Sequence, residues 1–369
     1  MSAATNTPAP DTPRAQGFRM PAEWEPHAAT WLAWPHERSD WPGKFDAVPW
    51  VFAEIARLLQ DGERIRMLVN DRAEQRRVGK LLGQAGVDLG RVDFFRLPTD
   101  RSWTRDYLPS FVVRGGEGRG KREVRGVKWR FNGWARYRNY QRDEQAGIDV
   151  LQELGMAGWQ PETVTGRRRR HVVLEGGAFD VDGQGTLLAT EQCLLTSRYA
   201  RNPELGKLGL ERVLSECLGI DKVIWLSEGI VGDDTSGHID DFARFVAPGR
   251  VVVAEEPNRK DDNHALLRQA QQRLKKATDA RGRQLDVIGL PMPAPVTFAG
   301  QRLPASYANF YVGNSVVLVP TFNDPNDRRA LDLFAELFPG RRVVGVFARD
   351  LVLGLGTLHC STQQEPAGG

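Results

Sequence analysis

The sequence predicts an α/β protein made of repeated units, and two observations lead to that prediction. A hairpin, a helix and a strand recur in the same order with a period of roughly 65 residues. A polar residue that is unusual at a strand end recurs at nearly the same point of each unit. Four or five such units can close into a ring, which removes exposed sheet edges. We therefore expect one closed domain, and an open α/β sheet covered on both faces is the alternative.

The chain begins with a segment, 1–19, that is rich in Ala, Thr, Pro and Ser and carries no apolar stretch. This composition is typical of a disordered leader rather than of a signal peptide. A single domain is therefore expected at 20–369, and a partial unit comes first in it. The hydrophobic pattern predicts strands at 31–35, 64–69 and 92–96 and helices at 48–60 and 73–84.

Four complete units follow, and their hairpins are marked by turn signals such as Asp182-Gly183 between two apolar segments. The predicted hairpins pair 111–114 with 124–131, 178–181 with 186–189, 242–246 with 251–254, and 307–312 with 316–319. The helices are predicted at 143–154, 204–218, 262–277 and 325–337. The closing strands are predicted at 171–174, 222–226, 285–290 and 342–347.

Composition limits the functional classes. The chain has 369 residues, of which 26% are charged, and its net charge of +3 gives no global attraction to nucleic acid. The basic run 167–170 is expected to be a loop or solvated face rather than a phosphate-binding patch. No apolar segment approaches membrane-spanning length. Three distant cysteines make no disulfide framework, so we expect a cytoplasmic protein in which Cys193 and Cys217 fill the core.

The C-terminal segment 354–366 combines Gly354 and Gly356 with a cysteine beside a histidine. Alternate glycines let a backbone approach a neighbour closely. A cysteine after such a segment is a candidate nucleophile, and a buried, inert cysteine is the alternative. The Ser-Thr-Gln-Gln run at 361–364 is expected to be too polar for a core strand. Cys360 is thus the first candidate for chemistry.

Five polar residues stand at nearly the same phase of the units: Asp106, Glu175, His238, Asp240 and Cys360. In a ring of repeats, equivalent positions point at a common centre, so we expect these side chains to converge in one pocket. Opposed carboxylates suit a guanidinium, which is a planar cation with five donors. A thiolate can attack its central carbon while a histidine protonates the departing nitrogen.

The same residues have a second use, because His238 and Asp240 with a cysteine are also a possible zinc site. The sequence shows no second ligand pair, no HExxH and no CxxC, which argues against zinc. It also lacks a Walker-type phosphate loop, a GxGxxG after a strand and a GxSxG elbow. The usual nucleotide-binding and serine-hydrolase motifs are therefore absent.

Several segments, taken together and in order, carry a family resemblance. They are Pro21-Ala22-Glu23-Trp24-Glu25-Pro26-His27, the segment 31–35, Trp103-Thr104-Arg105-Asp106, Glu175-Gly176-Gly177, Gly237-His238-Ile239-Asp240 and His359-Cys360-Ser361-Thr362-Gln363-Gln364-Glu365-Pro366. Between about Met20 and Pro366 the chain resembles the agmatine deiminases, the branch related to bacterial peptidylarginine deiminases within the guanidine-modifying (pentein) superfamily.

The resemblance implies a five-bladed, pseudo-symmetric α/β propeller of ββαβ repeats, the pentein fold, in agreement with the repeat pattern. It implies hydrolysis of agmatine to N-carbamoylputrescine and ammonia through a covalent cysteine thiouronium. Neither a metal nor an organic cofactor is implied. The implied partner is a small guanidine, with no role for nucleic acid or membrane, and a homo-oligomer is compatible with the sequence.

The resemblance also implies a role for each candidate residue. Cys360 would be the nucleophile and His238 the general acid and base. Asp106 and Asp240 would bind the guanidinium. Glu175 would hold the substrate and the histidine in register, and Trp103 would contact the substrate.

The chain departs from the family's usual pattern at two places next to these residues. It has Tyr107-Leu108 where the family commonly has Thr-Gly, and Leu355 where the family often has Gly. Tyr107 and Leu355 are therefore expected to narrow or reshape the pocket. The alternatives on the same fold are a deiminase for peptidyl or free arginine and an amidinotransferase. An alternative of another class is a non-catalytic ring scaffold, in which Cys360 would be unreactive.

Overall fold

The computed structural model describes residues 11–115, 121–165 and 168–369. The N-terminal half-unit contributes three parallel strands to one sheet, connected by two helices that cross from one strand to the next. In chain order these are β1 (His27–Ala33), α1 (Val48–Leu59), β2 (Arg64–Leu68), α2 (Arg72–Gln84) and β3 (Val92–Phe95). The predicted order of strands and helices in this partial N-terminal unit is confirmed.

The first two complete units follow in chain order. The first comprises α3 (Thr104–Tyr107), β4 (Ser110–Gly115), β5 (Arg122–Val127), α4 (Gln141–Glu153) and β6 (Gly158–Trp159), followed by a separate hairpin of β7 (Glu162–Thr165) and β8 (Arg168–His171). The second comprises β9 (Phe179–Val181), β10 (Thr186–Thr190), α5 (Glu191–Leu195), α6 (Lys207–Leu218) and β11 (Lys222–Leu226).

The last two units repeat the same order. The third comprises β12 (Ala243–Ala247), β13 (Arg250–Glu255), α7 (Asp262–Lys276) and β14 (Asp286–Pro291), followed by a small hairpin of β15 (Thr297–Phe298) and β16 (Gln301–Arg302). The fourth comprises β17 (Tyr311–Val312), β18 (Val316–Thr321), α8 (Asn326–Leu337) and β19 (Arg342–Phe347), and the chain closes with β20 (Gln363–Pro366).

Each complete unit forms one three-stranded sheet in which an antiparallel hairpin is followed by a parallel third strand. In the second unit Leu188 of β10 lies opposite Asp180 of β9 and Ile224 of β11. A hairpin can be closed by a tight turn, whereas the parallel third strand needs the long crossover that the helix supplies. The predicted hairpin–helix–strand repeat is therefore confirmed.

Three hydrophobic cores join successive units. One core contains Val112 of the first unit and Leu187 of the second, and another contains Leu188 of the second and Val251 of the third. The largest core joins the first sheet to the fourth unit, because α1 turns Phe52, Ile55 and further apolar residues onto it. Within the described ranges no helix has both the length and the apolarity needed to cross a membrane.

The C-terminal strand corrects one prediction. The run 361–364 was expected to be too polar for a core strand, yet its last two residues begin β20, which is buried and pairs antiparallel with β1, with Gln363 opposite Trp31. Burial is tolerated because each polar side chain makes at least one hydrogen bond, although Gln363 Oε1 has no partner among the described residues. Trp31 Nε1 donates to Glu365 Oε2 at 2.9 Å, and Arg105 Nη1 donates to Gln364 Oε1 at 2.7 Å. The first and last strands are thereby held in one sheet.

A second correction concerns the closing strand of the first unit. It was predicted at 171–174, but the strand that pairs with β5 is the two-residue β6. The segment after β8 makes only an isolated parallel bridge, between Arg130 and Val173. A strand as short as Gly158–Trp159 carries too few residues for a hydrophobic period to be detected.

The expected leader and two polar segments are partly outside the described residues. Residues 1–10, the hairpin tip 116–120 and Arg167 are not described, whereas residues 168–170 of the basic run are exposed on β8. Residues 11–19, expected to belong to a disordered leader, contact the body of the protein. Phe18 is buried in the core, and Arg14 Nη2 pairs with Asp221 Oδ1 at 2.6 Å.

Candidate active site

The structure brings the five predicted polar side chains together. His238 Nδ1 lies 3.9 Å from both Asp106 Oδ1 and Asp240 Oδ1, and its Nε2 lies 3.7 Å from Glu175 Oε2. The Cys360 thiol donates towards Asp240 Oδ2 at 3.5 Å. All five side chains are buried. They come from the short segments that precede or close the hairpins, as the repeat places them.

Gly177 makes this convergence possible. A Cβ at this position would lie 2.6 Å from His238 Nδ1 and 3.0 Å from Asp106 Oδ1, so no side chain fits. Its backbone N–H donates to Asp106 Oδ1 at 2.9 Å. The Glu-Gly-Gly segment therefore lets a histidine and a carboxylate approach the backbone and fixes the carboxylate.

The two aspartates differ in their surroundings. Asp106 Oδ2 accepts from Trp134 Nε1 at 2.8 Å, and burial raises the pKa of Asp106 to about 6, because neighbouring carboxylates add to the effect and His238 only partly offsets it. Burial also acts to raise the pKa of Asp240, but His359, whose Nδ1 lies 2.7 Å from Oδ2, lowers it below its usual value. Asp240 Oδ1 is buried and has no hydrogen-bond partner among the described residues. An ionised, unsatisfied oxygen in this position suits a cationic ligand.

His238 is held among acids. Burial alone would lower its pKa, but the charge of Asp106 and the neighbouring acceptors Cys193 and Glu175 outweigh burial and raise the pKa well above its usual value. Glu175 is itself fixed by Arg201, whose Nε donates to both carboxylate oxygens at 3.1 and 3.2 Å. Neither ring nitrogen of His238 has a hydrogen-bond partner in the described structure. The imidazolium is thus favoured and remains free to act on a ligand.

Cys360 is protonated in this resting arrangement. Burial raises the pKa of its thiol well above the usual value, and the charge of Asp240 raises it further. Asn309 Nδ2 donates to Sγ at 3.1 Å and opposes that rise. Asn309 Oδ1 accepts from Thr357 Oγ1 at 2.8 Å, which leaves the amide NH₂ to face the sulfur. A bound cation would be needed to favour the thiolate.

The segment before Cys360 approaches two tryptophans. A Cβ on Gly356 would come within 3.0 Å of Trp103, and a Cβ on Gly354 would come within 2.7 Å of both Trp103 and Trp41. Leu355 between them has φ of +68°, a left-handed conformation that favours glycine. Trp103 Nε1 donates to Asp40 Oδ2 at 3.2 Å. The glycines therefore let the cysteine segment lie directly against the aromatic wall.

A cavity of about 390 Å³ leads to this site. Of the predicted residues, Asp106, Trp103 and Cys360 line it, while His238, Asp240 and Glu175 lie behind that wall. Its lining is acidic and aromatic, with Asp40, Asp234, Trp134 and Tyr137, and apolar side chains that include Phe298, Leu353 and Leu355 complete it. Such a lining suits a cation with an aliphatic body.

The two residues expected to shape the pocket are placed differently. Leu355 lines the cavity, as expected. Tyr107 does not, so that prediction is wrong. Its ring is buried against Phe131, and its hydroxyl donates to the backbone oxygen of Arg101 at 3.2 Å, outside the cavity wall.

Four residues of the site were not assigned roles from the sequence. His359 lies between Asp240 and Glu23, with its Nε2 2.8 Å from Glu23 Oε2. Glu23 and His359 both fall in the segments that carried the resemblance, so a signal for them existed. Asn309 and Arg201 had no such signal, because only the fold brings them to Cys360 and Glu175.

Two groups of side chains have ligand atoms within 4.8 Å of one another, as a metal site would require. They are Glu175 with Cys193 and His238, and Asp240 with Asp241 and Cys360. Neither group favours a divalent cation. Glu175 is already paired with Arg201, and burial and the charge of Asp240 raise the pKa of Asp241 well above its usual value, so that Asp241 keeps its proton. Among the described residues, His238, Asp240 and a cysteine do not form such a group.

Comparison with known proteins points in one direction. The profile of the Porphyromonas-type peptidyl-arginine deiminase family matches residues 19–366. An agmatine deiminase of Ectopseudomonas mendocina is 37% identical over 96% of this chain and 97% of its own length. The solved agmatine deiminase of Enterococcus faecalis is 33% identical with a TM-score of 0.85, covering 96% of this chain and 97% of that one. An agmatine deiminase of C. jejuni, solved as a cysteine-to-serine variant with substrate bound, is 26% identical with a TM-score of 0.82, covering 95% and 97%.

Proposed function

Because the chain belongs to the Porphyromonas-type peptidyl-arginine deiminase family, we propose that it is an agmatine deiminase that uses Cys360 as a covalent nucleophile. The family resemblance and the α/β class expected from the sequence are confirmed. The observation that carries the proposal is the position of the Cys360 sulfur. It lies beside the buried carboxylate of Asp240, in the wall of a cavity that also exposes Asp106.

Binding is the first step of the proposed reaction. The guanidinium lies between Asp106 and Asp240, and the unsatisfied Oδ1 of Asp240 accepts one of its N–H groups. The cation also offsets the negative charges that hold the proton on Cys360. Substrate binding therefore lowers the pKa of the thiol and favours the thiolate only when there is something to attack.

The chemistry then proceeds in two halves. The Cys360 thiol releases its proton to solvent when the cation binds, and the thiolate attacks the central carbon to form a tetrahedral adduct. His238 gives a proton to one NH₂ group, and that C–N bond breaks to release ammonia and leave an S-alkylthiouronium. A water molecule then gives a proton to His238 and adds to the same carbon as a hydroxyl. The C–S bond breaks, the hydroxyl proton passes to the sulfur, and the ureido product leaves the restored thiol. Glu175, fixed by Arg201, keeps the imidazole in position.

The cavity lining supports agmatine over arginine. Agmatine carries a second cation at its amine end, and Asp234 offers a carboxylate in the lining in addition to Asp40, which is already paired with Arg101. Free arginine would present a carboxylate instead. Arg101 is the one lysine or arginine among the described lining residues, and its charge is already paired with Asp40. Amidinotransfer shares the thiouronium step and would differ only in the acceptor.

The proposal extends to the architecture. We infer that the five sheets close into a five-bladed propeller within one catalytic domain. Support comes from the three cores that join neighbouring units and from β20, which links the last unit to β1. A cytoplasmic location is an expectation from the sequence, and a homo-oligomer is compatible with it.

The test compares substrates. Ureido-product formation is measured with agmatine, free arginine and a peptidyl-arginine at equal concentrations, with Cys360→Ser as the blank. A clear preference for agmatine is expected. A preference for either arginine substrate would replace the proposed substrate, and turnover by Cys360→Ser equal to that of the parent protein would refute the covalent mechanism. Failure of all three substrates to react, together with an unreactive Cys360, would favour a non-catalytic scaffold.

A further inference from the structure

A second cysteine lies behind the candidate site. Cys193 in α5 was expected only to fill the core, and its side chain is completely buried. Its backbone N–H donates to Thr190 Oγ1 at 3.1 Å, which caps the helix and fixes where the residue sits. The sulfur of Cys193, a carboxylate oxygen of Glu175 and a ring nitrogen of His238 all lie within 4.8 Å of one another.

The His238 ring lacks a hydrogen-bond acceptor on the side that faces Glu175. Nε2 is 3.7 Å from Glu175 Oε2, which is longer than a hydrogen bond, and both Glu175 oxygens already accept from Arg201. The ring is 1% exposed and its nitrogens have no partner in the described structure. A buried imidazolium leaves an N–H uncompensated at considerable cost unless a neighbouring acceptor takes it. The Cys193 sulfur, which lies within 4.8 Å of a ring nitrogen and of a Glu175 oxygen, is a further potential acceptor in this group.

We propose that Cys193 is a positioning residue for His238, whose sulfur takes the Nε2–H of the imidazolium together with Glu175. This arrangement fixes which nitrogen carries the permanent proton. Nδ1 is then the nitrogen that exchanges protons with the reacting atoms, next to Asp106 and Asp240. The inference rests on the proposed function only in assigning His238 as the acid and base.

Other titratable and charged groups also face His238, and the effect of Cys193 has to be separated from theirs. On the side of the reacting atoms these groups are Asp106, Asp240, Asp241 and Cys360. The loop before His238 adds Asp233 and Asp234, and Glu175 lies on the opposite side with Arg201 behind it. All of these remain unchanged when only the Cys193 sulfur is removed. Any change in the titration of His238 would then report the lost acceptor.

The kinetic test uses Cys193→Ala, with Cys217→Ala as the matched control, because Cys217 is also buried and free but lies in α6 away from the site. Loss of one hydrogen bond to a charged group is expected to lower kcat about fivefold to tenfold, with KM changed less than about twofold. The alkaline limb of the kcat–pH profile should move to lower pH, since the imidazolium has lost an acceptor. Cys217→Ala should leave both unchanged.

A second readout needs no substrate. ¹⁵N-histidine labelling of the full chain gives signals from six histidines, and His238→Gln identifies the one of interest. In Cys193→Ala the titration midpoint of His238 should fall by at least about half a pH unit. Cys193→Ser, which keeps an acceptor, should restore most of the shift. Cys193→Val, which keeps the volume without an acceptor, replaces the alanine variant if that one does not fold.

The outcomes separate this inference from the proposed function. Unchanged His238 titration in Cys193→Ala or Cys193→Val would overturn the inference even if agmatine is the substrate. Lower thermal stability of Cys193→Ala, with an unchanged kcat–pH profile and an unchanged His238 midpoint, would also overturn it. A core residue with no positioning role would give that result. A shifted titration in a protein that does not turn over agmatine would support the inference and count against the substrate assignment.

Discussion

Asp240→Asn probes the charge that we expect to grip the guanidinium. The amide oxygen can still accept from His359 Nδ1, so the 2.7 Å contact that holds the side chain is preserved. The buried, unsatisfied Oδ1 is replaced by an N–H that faces a cation. Removing one partner of a desolvated charge pair costs about 2–5 kcal/mol. At about 1.4 kcal/mol per tenfold, kcat/KM should fall by about 30-fold to about 4,000-fold.

The neighbouring acid supplies the matched control. Asp241 keeps its proton, and Asn309 Nδ2 donates to its Oδ1 at 3.1 Å, a bond that an asparagine would retain. Asp241→Asn should therefore lower kcat/KM by less than about fivefold. Steady-state assays with agmatine, with thermal denaturation to verify folding, make the comparison. Equal losses in both variants, or near-parental kinetics in Asp240→Asn, would refute the electrostatic reasoning.

Three further predictions concern pH, the thiol and the cavity lining. The pKa of Asp106 is raised to about 6, and its carboxylate must be ionised to bind a cation. Below that pH, kcat/KM should therefore fall about tenfold per pH unit. A kcat/KM–pH profile that stays flat in this range would contradict the prediction. A cationic haloacetamidine should label Cys360 faster at neutral pH than neutral iodoacetamide of similar size, because the cation favours the thiolate. Mass spectrometry of the labelled peptide measures both labelling rates, and equal rates would contradict the prediction. Leu355→Gly removes a side chain from the lining and a left-handed non-glycine conformation, and should raise kcat/KM for peptidyl-arginine relative to agmatine about tenfold; an unchanged ratio would remove Leu355 from specificity.

Much of the fold could be predicted from the sequence because helices and strands have a hydrophobic period, and hairpins a turn signal, within a few consecutive residues. The strands Lys222–Leu226 and Arg342–Phe347 have the predicted bounds. The predictions failed where contacts with residues far along the chain determine the local structure. Gln363–Pro366 is a core strand only because Trp31 and Arg105 satisfy its polar side chains, and no local pattern contains those contacts.

The candidate site divides in the same way. Its five polar residues could be named because the repeat gives them a common phase. Asn309 could not, since its function depends on a 3.1 Å contact with a sulfur far along the chain. Tyr107 was misplaced because sequence proximity to Asp106 does not fix direction, and a short helix turns its ring away from the cavity.

The covalent intermediate on Cys360 is the central claim, and rapid quenching during turnover tests it most directly. The protein is mixed with excess agmatine, stopped in acid within one turnover, and analysed as intact protein and as peptides by mass spectrometry. The account predicts a transient adduct of the substrate carbon skeleton without ammonia, located on Cys360 and absent from Cys360→Ser. Normal product formation with no adduct at any time, or an adduct on another residue, would contradict it.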